Sequence, residues 1–260
     1  MSISSFKIAH KLLTGSTAIE QLAAELTRLD VDNPLIVTDT ALLRSGTVEL
    51  ALAHLGERSY EVFDRVQPDP EIAIVEDCMQ VYREGGHDGL IGLGGGSAID
   101  IAKSVGAYAG YHGALEDLFG IDQVPRKGPP LIAIPTTAGT GSEVTNVAIL
   151  SDRVAQLKKG IISDYLLPDV ALVSPQMTLT CPPRVTAASG VDALAHAIEA
   201  YLSLNASAIT DSLAIGAIKL IVKALPKAFA NPAHLQARED MATASLMAGM
   251  AFGNAAVSYT

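Results

Sequence analysis

Short apolar segments alternate with segments of helical periodicity over the first 110 residues, and no other feature constrains the fold as strongly. The pattern predicts strands at 35–38, 59–63 and 89–93, with helices at 41–54, 70–84 and 97–108. Strand–helix–strand alternation is typical of parallel strands joined by crossover helices. We therefore predict a Rossmann-like parallel sheet layered by helices, whose ligands bind at the carboxyl ends of its strands.

The chain changes character near residue 175. A strand is predicted at 131–134 and further β structure at 147–173, whereas an alanine-rich helical pattern runs from about Thr178 onward, with turn signals at 204–205 and 226–232. We predict two domains, an α/β domain at 1–175 and an all-α domain at 176–260.

Composition excludes several classes of function. The 260 residues include 18 basic and 28 acidic side chains, a net charge of −10, and 49% of them are apolar. Such a chain is globular, and it has no cationic surplus for binding nucleic acid or an anionic membrane surface. Cys78 and Cys181 lie outside any CxxC pair, so neither a disulfide scaffold nor a thiolate zinc site is expected. Because no secretion signal or membrane-spanning run is recognised, we expect a cytoplasmic protein.

The sequence LGGGSAID joins the predicted strand at 89–93 to the next helix. Glycine lets the backbone approach a phosphate closely, and a helix N-terminus favours an anion. Gly95, Gly96 and Ser97 are therefore candidates for phosphate binding. Ser97 and Asp100 also have the spacing of a capping box. The alternative is a tight strand-to-helix turn without a ligand.

A second loop, PTTAGTGSEVT, runs from Pro135 to Thr145 after the strand at 131–134. Its glycines and small hydroxyl residues can offer backbone amides and hydroxyls to a cofactor. Because it follows a strand of the same predicted sheet, it would face the same crevice as the glycine turn. Taken alone, it could equally be an ordinary loop.

Asp192 and His196 lie four residues apart on a predicted helix, so both project from one face. A carboxylate and an imidazole at this spacing can share a divalent metal ion. The alternative is a hydrogen bond or ion pair within the helix. Asp39 ends the strand at 35–38, where it could bind an adenosine ribose and repel a 2′-phosphate, or could simply cap a helix or a turn.

In this order, the motifs resemble the iron-containing (group III) alcohol dehydrogenase family. The resemblance rests on VTD ending at Asp39 and on GGGSAID, PTTAGTGSEVT, PDVALVSP and PPRVTAASGVDALAHAIEAY, and it continues to GMAFGNAAV. It implies a dinucleotide-binding α/β domain and a helical metal-binding domain, with the active site in the cleft between them. The wording of the motifs fits this family better than glycerol dehydrogenases or dehydroquinate-synthase-like enzymes, which share the plan.

The resemblance also implies the cofactors and the residues that hold them. The cofactor would be NAD, with NADP less expected, and the metal would be Fe(II) or Zn(II) held by Asp192 and His196 as the catalytic pair. The residues implied in cofactor binding are Asp39, Gly95, Gly96, Ser97, Asp100, Thr136, Thr137, Thr140, Ser142 and Lys158. The implied function is hydride transfer between a nicotinamide and a small alcohol or aldehyde, in a homo-oligomer.

One departure from the family pattern opens an alternative. The family has two further histidine ligands beyond GMAFGNAAV, whereas this sequence reads to Thr260 without them. His234 lies in the polar stretch NPAHLQARED and is expected to be solvated rather than a ligand. Two protein ligands make a weak catalytic metal site, which normally has three. The helical domain would then be incomplete, and the alternative function is a catalytically inactive, truncated dinucleotide-binding remnant.

Overall fold

Strands arranged in two sheets dominate the first two thirds of the computed structural model, which describes residues 5–153 and 155–255. The strands are β1 (Leu12–Thr14), β2 (Pro34–Val37), β3 (Glu61–Phe63), β4 (Gly89–Gly94), β5 (Gly120–Ile121), β6 (Leu131–Pro135), β7 (Val147–Asp152), β8 (Leu157–Ile162) and β9 (Val170–Val173). The larger sheet is parallel throughout, in the order β1-β9-β6-β4-β2-β3, and the smaller has the order β5-β8-β7, with β7 and β8 antiparallel.

Helices follow most strands of the larger sheet and form everything described beyond β9 apart from turns. The helices are α1 (Leu22–Arg28), α2 (Thr40–Arg44), α3 (Thr47–Leu52), α4 (Ile72–Glu84), α5 (Gly96–Ala109), α6 (Pro183–Leu202), α7 (Ala208–Ala230) and α8 (Leu235–Ala255). Short 3₁₀ turns occur at Ala18–Gln21, Leu115–Leu118, Ser142–Val144, Asp164–Leu166 and Pro175–Thr178. The predicted parallel α/β sheet followed by helices is confirmed, and the division into two domains at residue 175 stays a prediction.

The central strands are buried on both faces, as is usual for a parallel sheet covered by helices. Along β2, Leu35 and Val37 belong to an apolar cluster with α4 and α5 on one face. Ile36 points the other way, into a cluster with Leu22 and Leu26 of α1. This alternation follows from the two-residue period of a strand. It fixes the register of the sheet and therefore the place where each strand ends.

The register places the two predicted cofactor loops side by side. Strands β4 and β6 are parallel neighbours, and Gly94 pairs with Pro135 at their carboxyl ends. The glycine turn and the loop from Pro135 to Thr145 therefore leave the same edge of the sheet. Among the described residues, none of the helices combines the length and the apolar character needed to cross a membrane.

Two helix boundaries differ from the prediction. The single helix predicted at 41–54 is two helices, α2 and α3, because Gly46 adopts a left-handed conformation with φ of 77° between them. The turn predicted from Pro226 begins too early, since α7 continues through Pro226 to Ala230. A proline normally weakens a helix interior, so the continuation reflects packing of α7 between α6 and α8.

Candidate active site

The glycine turn opens α5 toward a cavity. Gly95 is the N-cap residue of α5, and no side chain caps this end of the helix. The capping box predicted from Ser97 and Asp100 is therefore wrong, because the Asp100 carboxylate instead accepts a hydrogen bond from the Ile149 amide at 3.1 Å. The first N–H groups of a helix have no partner within it. Gly96 and Ser97 line the cavity, so this end of α5 is available to an anionic ligand.

Close packing explains why two of these positions are glycine. A Cβ on Gly96 would lie 2.7 Å from the Thr140 methyl group and 2.9 Å from its hydroxyl. A Cβ on Gly94 would lie 2.7 Å from the Cβ of Ala98. Such contacts are shorter than van der Waals packing allows. Gly94 thus lets the start of α5 pack closely on the end of β4, and Gly96 lets α5 approach the second loop.

Two glycines of the second loop lie in close contact with the helices. A Cβ on Gly139 would lie 2.6 Å from the Ser189 side chain on α6. Gly141, with φ of 66°, lies against Gly249 of α8, where a Cβ on Gly141 would come within 2.5 Å of the Gly249 Cα. The loop is therefore fitted between the sheet and the helices. Thr140 and Ser142 of the same loop line the cavity.

Asp192 and His196 lie on α6, one turn apart. The Asp192 Oδ1 and the His196 Nε2 are 3.7 Å apart, which is beyond hydrogen-bond distance. The Nδ1 atom of His196 is buried without a hydrogen-bond partner within the described part of the chain. The His196 ring lies against Phe252 of α8, with 4.5 Å between ring centroids. The separation excludes the hydrogen bond of the alternative but is within ion-pair distance, so an ion pair within the helix remains open.

One cavity of about 350 Å³ joins the glycine turn to the Asp192 and His196 pair. Its lining includes Gly96, Ser97, Asp100, Thr140, Ser142, Lys158, Asp192 and His196 from the sequence-predicted set. It also includes residues that the sequence did not single out, namely Asp69, Pro70, Thr145, Val147, Ile149, Ser151, Phe252 and Gly253. Strand β7 lines one side of the cavity, and α6 and α8 line another, so the smaller sheet and the helices both contribute.

Four predicted cofactor residues do not line this cavity. Asp39 caps α2, and its Oδ1 accepts a hydrogen bond from the Leu42 amide at 2.9 Å. Thr136 is buried and donates its N–H to the Gly94 carbonyl. Gly95 and Thr137 lie next to each other at the turn, where a Cβ on Gly95 would be 3.6 Å from Thr137. All four come directly after the carboxyl ends of neighbouring strands, so they lie along the same edge of the sheet but outside the cavity.

Lys158 reaches the cavity from β8 and pairs with Asp69 at 2.6 Å. Both side chains are largely exposed, so the ion pair itself contributes little to stability. Asp69 lies within the short stretch QPDP, a turn signal that could have indicated this part of the site. His234 is exposed, and its Nδ1 accepts a hydrogen bond from the Ala237 amide at the start of α8.

Three ionisable side chains are buried beneath the cavity. Lys103 is 1% exposed and Glu143 is 3% exposed, and the sequence analysis identified neither. Burial lowers the pKa of Lys103 to about 8, although the Asp100 and Glu143 carboxyls favour its charge. Burial raises the pKa of Glu143 to about 7. Burial also raises the pKa of Asp100, against the opposing effects of Lys103, the Ile149 amide and the Ser142 hydroxyl.

Comparison with protein-family models matches residues 9–175 to the family described as iron-containing alcohol dehydrogenase. Residues 186–260 match the family described as Fe-containing alcohol dehydrogenase family, C-terminal. The two matches together extend over nearly the whole chain, on both sides of the cavity.

Individual relatives agree with these matches. The chain is 46% identical to the long-chain-alcohol dehydrogenase 1 of Geobacillus thermodenitrificans over 94% of its own length and 62% of that protein. It is 39% identical to the NAD-dependent methanol dehydrogenase of Bacillus methanolicus over 97% of its own length and 67% of that protein. The crystal structure of a sulfoacetaldehyde reductase from Bifidobacterium kashiwanohense in complex with NAD⁺ superposes with a TM-score of 0.92 at 33% identity, covering 98% of this chain and 68% of that one. The chain thus spans about two thirds of the length of these relatives.

Proposed function

Because the chain belongs to the iron-containing alcohol dehydrogenase family, we propose that its cavity binds a nicotinamide dinucleotide and a metal ion for hydride transfer to or from a small alcohol or aldehyde. One observation carries the proposal. The uncapped start of α5 and the Asp192 and His196 pair line the same cavity, although they lie on elements far apart in sequence. A phosphate-binding turn and a metal-binding pair on opposite faces of the molecule would not support it.

The residues around the glycine turn fit a dinucleotide. The start of α5 supplies free N–H groups and the positive end of a helix dipole, both of which suit a pyrophosphate. Asp100 lines the cavity, and its Oδ1 atom is buried without a hydrogen-bond partner within the described part of the chain. An orphaned buried acceptor is costly, and the amide group of a nicotinamide would satisfy it. Thr140 and Ser142 add hydroxyls on the same side.

Asp192 and His196 are placed so that they could supply two ligands to one metal ion. Their facing atoms are 3.7 Å apart, and one ion about 2.1 Å from each could bind both. Such an ion would bind the imidazole through Nε2, the ring nitrogen that faces Asp192. The described residues contain no group of three or more side chains of the ligand types, so this part of the chain supplies an incomplete set. Iron(II) is the metal named by the family, and zinc(II) suits the same ligand types.

The remaining lining residues suit a small alcohol. Val147, Ile149 and Phe252 add apolar surface to the cavity, and Phe252 lies against His196. The alcohol carbon would lose a hydride to the nicotinamide and its oxygen a proton to solvent, leaving a carbonyl product; the reverse reaction reduces an aldehyde. When bound, the metal ion acts as a Lewis acid on the alcohol oxygen, and the nicotinamide carries the hydride.

Titration with NADH tests the cofactor half of the proposal. We expect NADH fluorescence to change saturably on addition of the protein, and the melting temperature to rise as NADH is added, because a ligand that binds the folded state stabilises it. Absence of both effects at millimolar NADH would refute the proposal. Adenosine monophosphate serves as a control for binding of the adenosine half alone.

Substitution of His196 tests the metal half. The His196→Ala variant is expected to lose bound iron or zinc, as measured by elemental analysis after dialysis, and to keep its affinity for NADH, because His196 lies on α6 away from the glycine turn. The matched control is His234→Ala, which removes an exposed histidine and should retain the metal. Loss of NADH binding with the metal retained would show that the two sites are misassigned.

The incomplete ligand set favours one alternative, a dinucleotide-binding protein without catalytic activity. The two proposals differ in measurable ways. The enzyme should hold stoichiometric metal and oxidise short alcohols with NAD. The inactive protein should bind NADH, retain no metal and give no turnover when iron(II) or zinc(II) is added.

A further inference from the structure

A second, smaller cavity of about 140 Å³ adjoins the candidate active site. Thr145 and Gly253 line both cavities, so the two cavities meet at these residues. A Cβ on Gly253 would lie 3.2 Å from the Thr145 methyl group, so the two residues are close neighbours. Gly253 directly follows Phe252, whose ring lies 4.5 Å from that of His196 between centroids. The second cavity therefore begins close to the proposed metal ligand His196.

The lining of the second cavity is mainly polar and carries no net charge. It includes Lys7, Asn146 and Asn254 besides the residues shared with the active site. Lys7 is the one cation among the described lining residues, and its ammonium group pairs with the Asp164 carboxylate. Because this charge already has an opposite partner, the cavity suits a neutral polar group better than an ion.

Asn254 shapes one wall of the second cavity. Its Oδ1 accepts a hydrogen bond from the Lys7 amide at 2.6 Å, and its Nδ2 donates to the Lys7 carbonyl at 2.8 Å and to the Met250 carbonyl at 2.9 Å. Both hydrogens of the amide group are thus in use. Asn254 therefore fastens the backbone at Lys7 to the end of α8 and has no hydrogen left for a ligand.

Asn146 has an unused acceptor. Its Nδ2 donates to the Asp164 Oδ1 at 3.3 Å, and this contact fixes the orientation of the amide group, because the reversed orientation would bring two oxygen atoms together. The Asn146 Oδ1 is buried and has no hydrogen-bond partner within the described part of the chain. Such an acceptor is costly unless a water molecule or a ligand supplies a donor.

We propose that the second cavity binds the far hydroxyl of a small diol whose reacting hydroxyl lies in the active site, and that this far hydroxyl donates a hydrogen bond to the Asn146 Oδ1. A hydroxyl supplies the missing donor and brings no charge. The volume of about 140 Å³ exceeds the roughly 30 Å³ of one water molecule, so a terminal hydroxymethyl group fits. The inference rests on the proposed function, since it names the alcohols that the same site prefers.

Matched pairs of alcohols test the inference on the full chain saturated with NADH. NADH cannot accept a hydride, so the alcohols bind without being oxidised. Each diol of three to six carbons, with a hydroxyl at either end, is compared with the alcohol in which a methyl group replaces the far hydroxyl, by isothermal titration calorimetry. We expect at least one diol to bind about three- to tenfold more tightly than its match, the effect of one hydrogen bond to a buried acceptor.

Substitution of Asn146 locates this preference. Asn146→Leu removes the acceptor, so we expect it to bind both members of the pair equally, mainly through weaker binding of the diol. The matched control is Asn205→Leu, which changes an exposed asparagine between α6 and α7 and should keep the preference. Should Asn146→Leu fail to fold, Asn146→Ala, which only removes atoms, should lose the preference in the same way.

The outcomes separate this inference from the proposed function. If the unmodified chain does not bind NADH, or if its NADH complex binds neither member of any pair, the proposed function fails and the inference fails with it. If the NADH complex binds the alcohols but no diol more tightly than its match, or if the Asn146 variants keep the preference, only the role of the second cavity is overturned.

Discussion

The carboxylate of Asp39 has one role in capping a helix and a second, proposed role in cofactor binding, and a single substitution would not separate their effects. It caps α2 through the Leu42 amide. It also follows β2 at the carboxyl edge of the sheet, where we propose that it faces the adenosine ribose. The cap needs only an acceptor, which asparagine also provides, whereas repulsion of a 2′-phosphate needs the negative charge.

We therefore predict different results for Asp39→Asn and Asp39→Ala. Asp39→Asn should keep the melting temperature and bind NADPH more tightly relative to NADH, because only the charge is lost. Asp39→Ala should show the same shift in cofactor preference and also lose about 1 kcal/mol of unfolding free energy with the cap. Titrations with both nucleotides and denaturant unfolding measure the two effects. An unchanged NADH to NADPH ratio in both variants would remove Asp39 from the ribose site.

At the scale of the elements, two glycines let the second loop pack directly against α8. Gly141 and Gly249 are in backbone contact, and α8 also packs on the Ser142–Val144 turn through Val144. The loop that carries Thr140 and Ser142 into the cavity is thus held from behind by α8. A side chain at Gly249 would push the loop rather than enter empty space.

We predict that Gly249→Ala is less stable than Gly106→Ala by about 1–3 kcal/mol, the usual cost of overpacking. The Cβ at Gly249 would lie 2.7 Å from the Gly141 Cα, whereas the Cβ at Gly106 meets nothing closer than Leu90 at 3.5 Å. Both glycines lie inside helices, so the gain in helix propensity is the same and cancels in the comparison. Denaturant unfolding of the two variants measures the difference, and equal stabilities would contradict the packing described.

Elements whose signal is local could be predicted from the sequence, and contacts between distant elements could not. The strand, glycine turn and start of α5 are contiguous, so their pattern predicted both the fold and the edge at which a ligand would bind. The glycines of the second loop were interpreted as ligand contacts, because nothing local reveals that Gly139 and Gly141 touch α6 and α8. The break between α2 and α3 could have been predicted, since a glycine such as Gly46 within a helical pattern is a known sign of a helix end.

Over the whole molecule, the buried charges were the least predictable part of the site. Lys103 and Glu143 look like ordinary surface residues in the sequence, and only packing of α5, β7 and the Ser142–Val144 turn removes both from water. Their burial leaves a trace in the pH dependence of stability. The two residues act in different ranges of pH, because the pKa of Glu143 is raised to about 7 and that of Lys103 is lowered to about 8.

Glu143 should make the protein less stable as the pH rises from about 4.5 to 7. Its pKa is raised from 4.5 in the unfolded chain to about 7 in the folded one, so the folded state binds more protons in this range. At about 1.4 kcal/mol per pKa unit, the contribution lost is on the order of 3 kcal/mol. Above the pKa of Glu143, the relation reverses for Lys103, whose lowered pKa makes stability rise between about 8 and 10.5.

The measurement is the unfolding free energy of the wild type and of Glu143→Gln at intervals across the same pH range. Glutamine fills nearly the same volume and does not titrate, so the curve of the variant should lack the decline that Glu143 causes. Other groups whose pKa differs between the folded and unfolded states, Asp100 among them, are present in both proteins and largely cancel in the difference. The difference in unfolding free energy between the two proteins should change most between pH 4.5 and 7, and it should favour the variant increasingly, because the variant has no buried carboxyl to ionise. Curves that stay parallel from pH 4.5 to 7 would mean that Glu143 is ionised in the folded protein throughout, and that Lys103 compensates its burial in full.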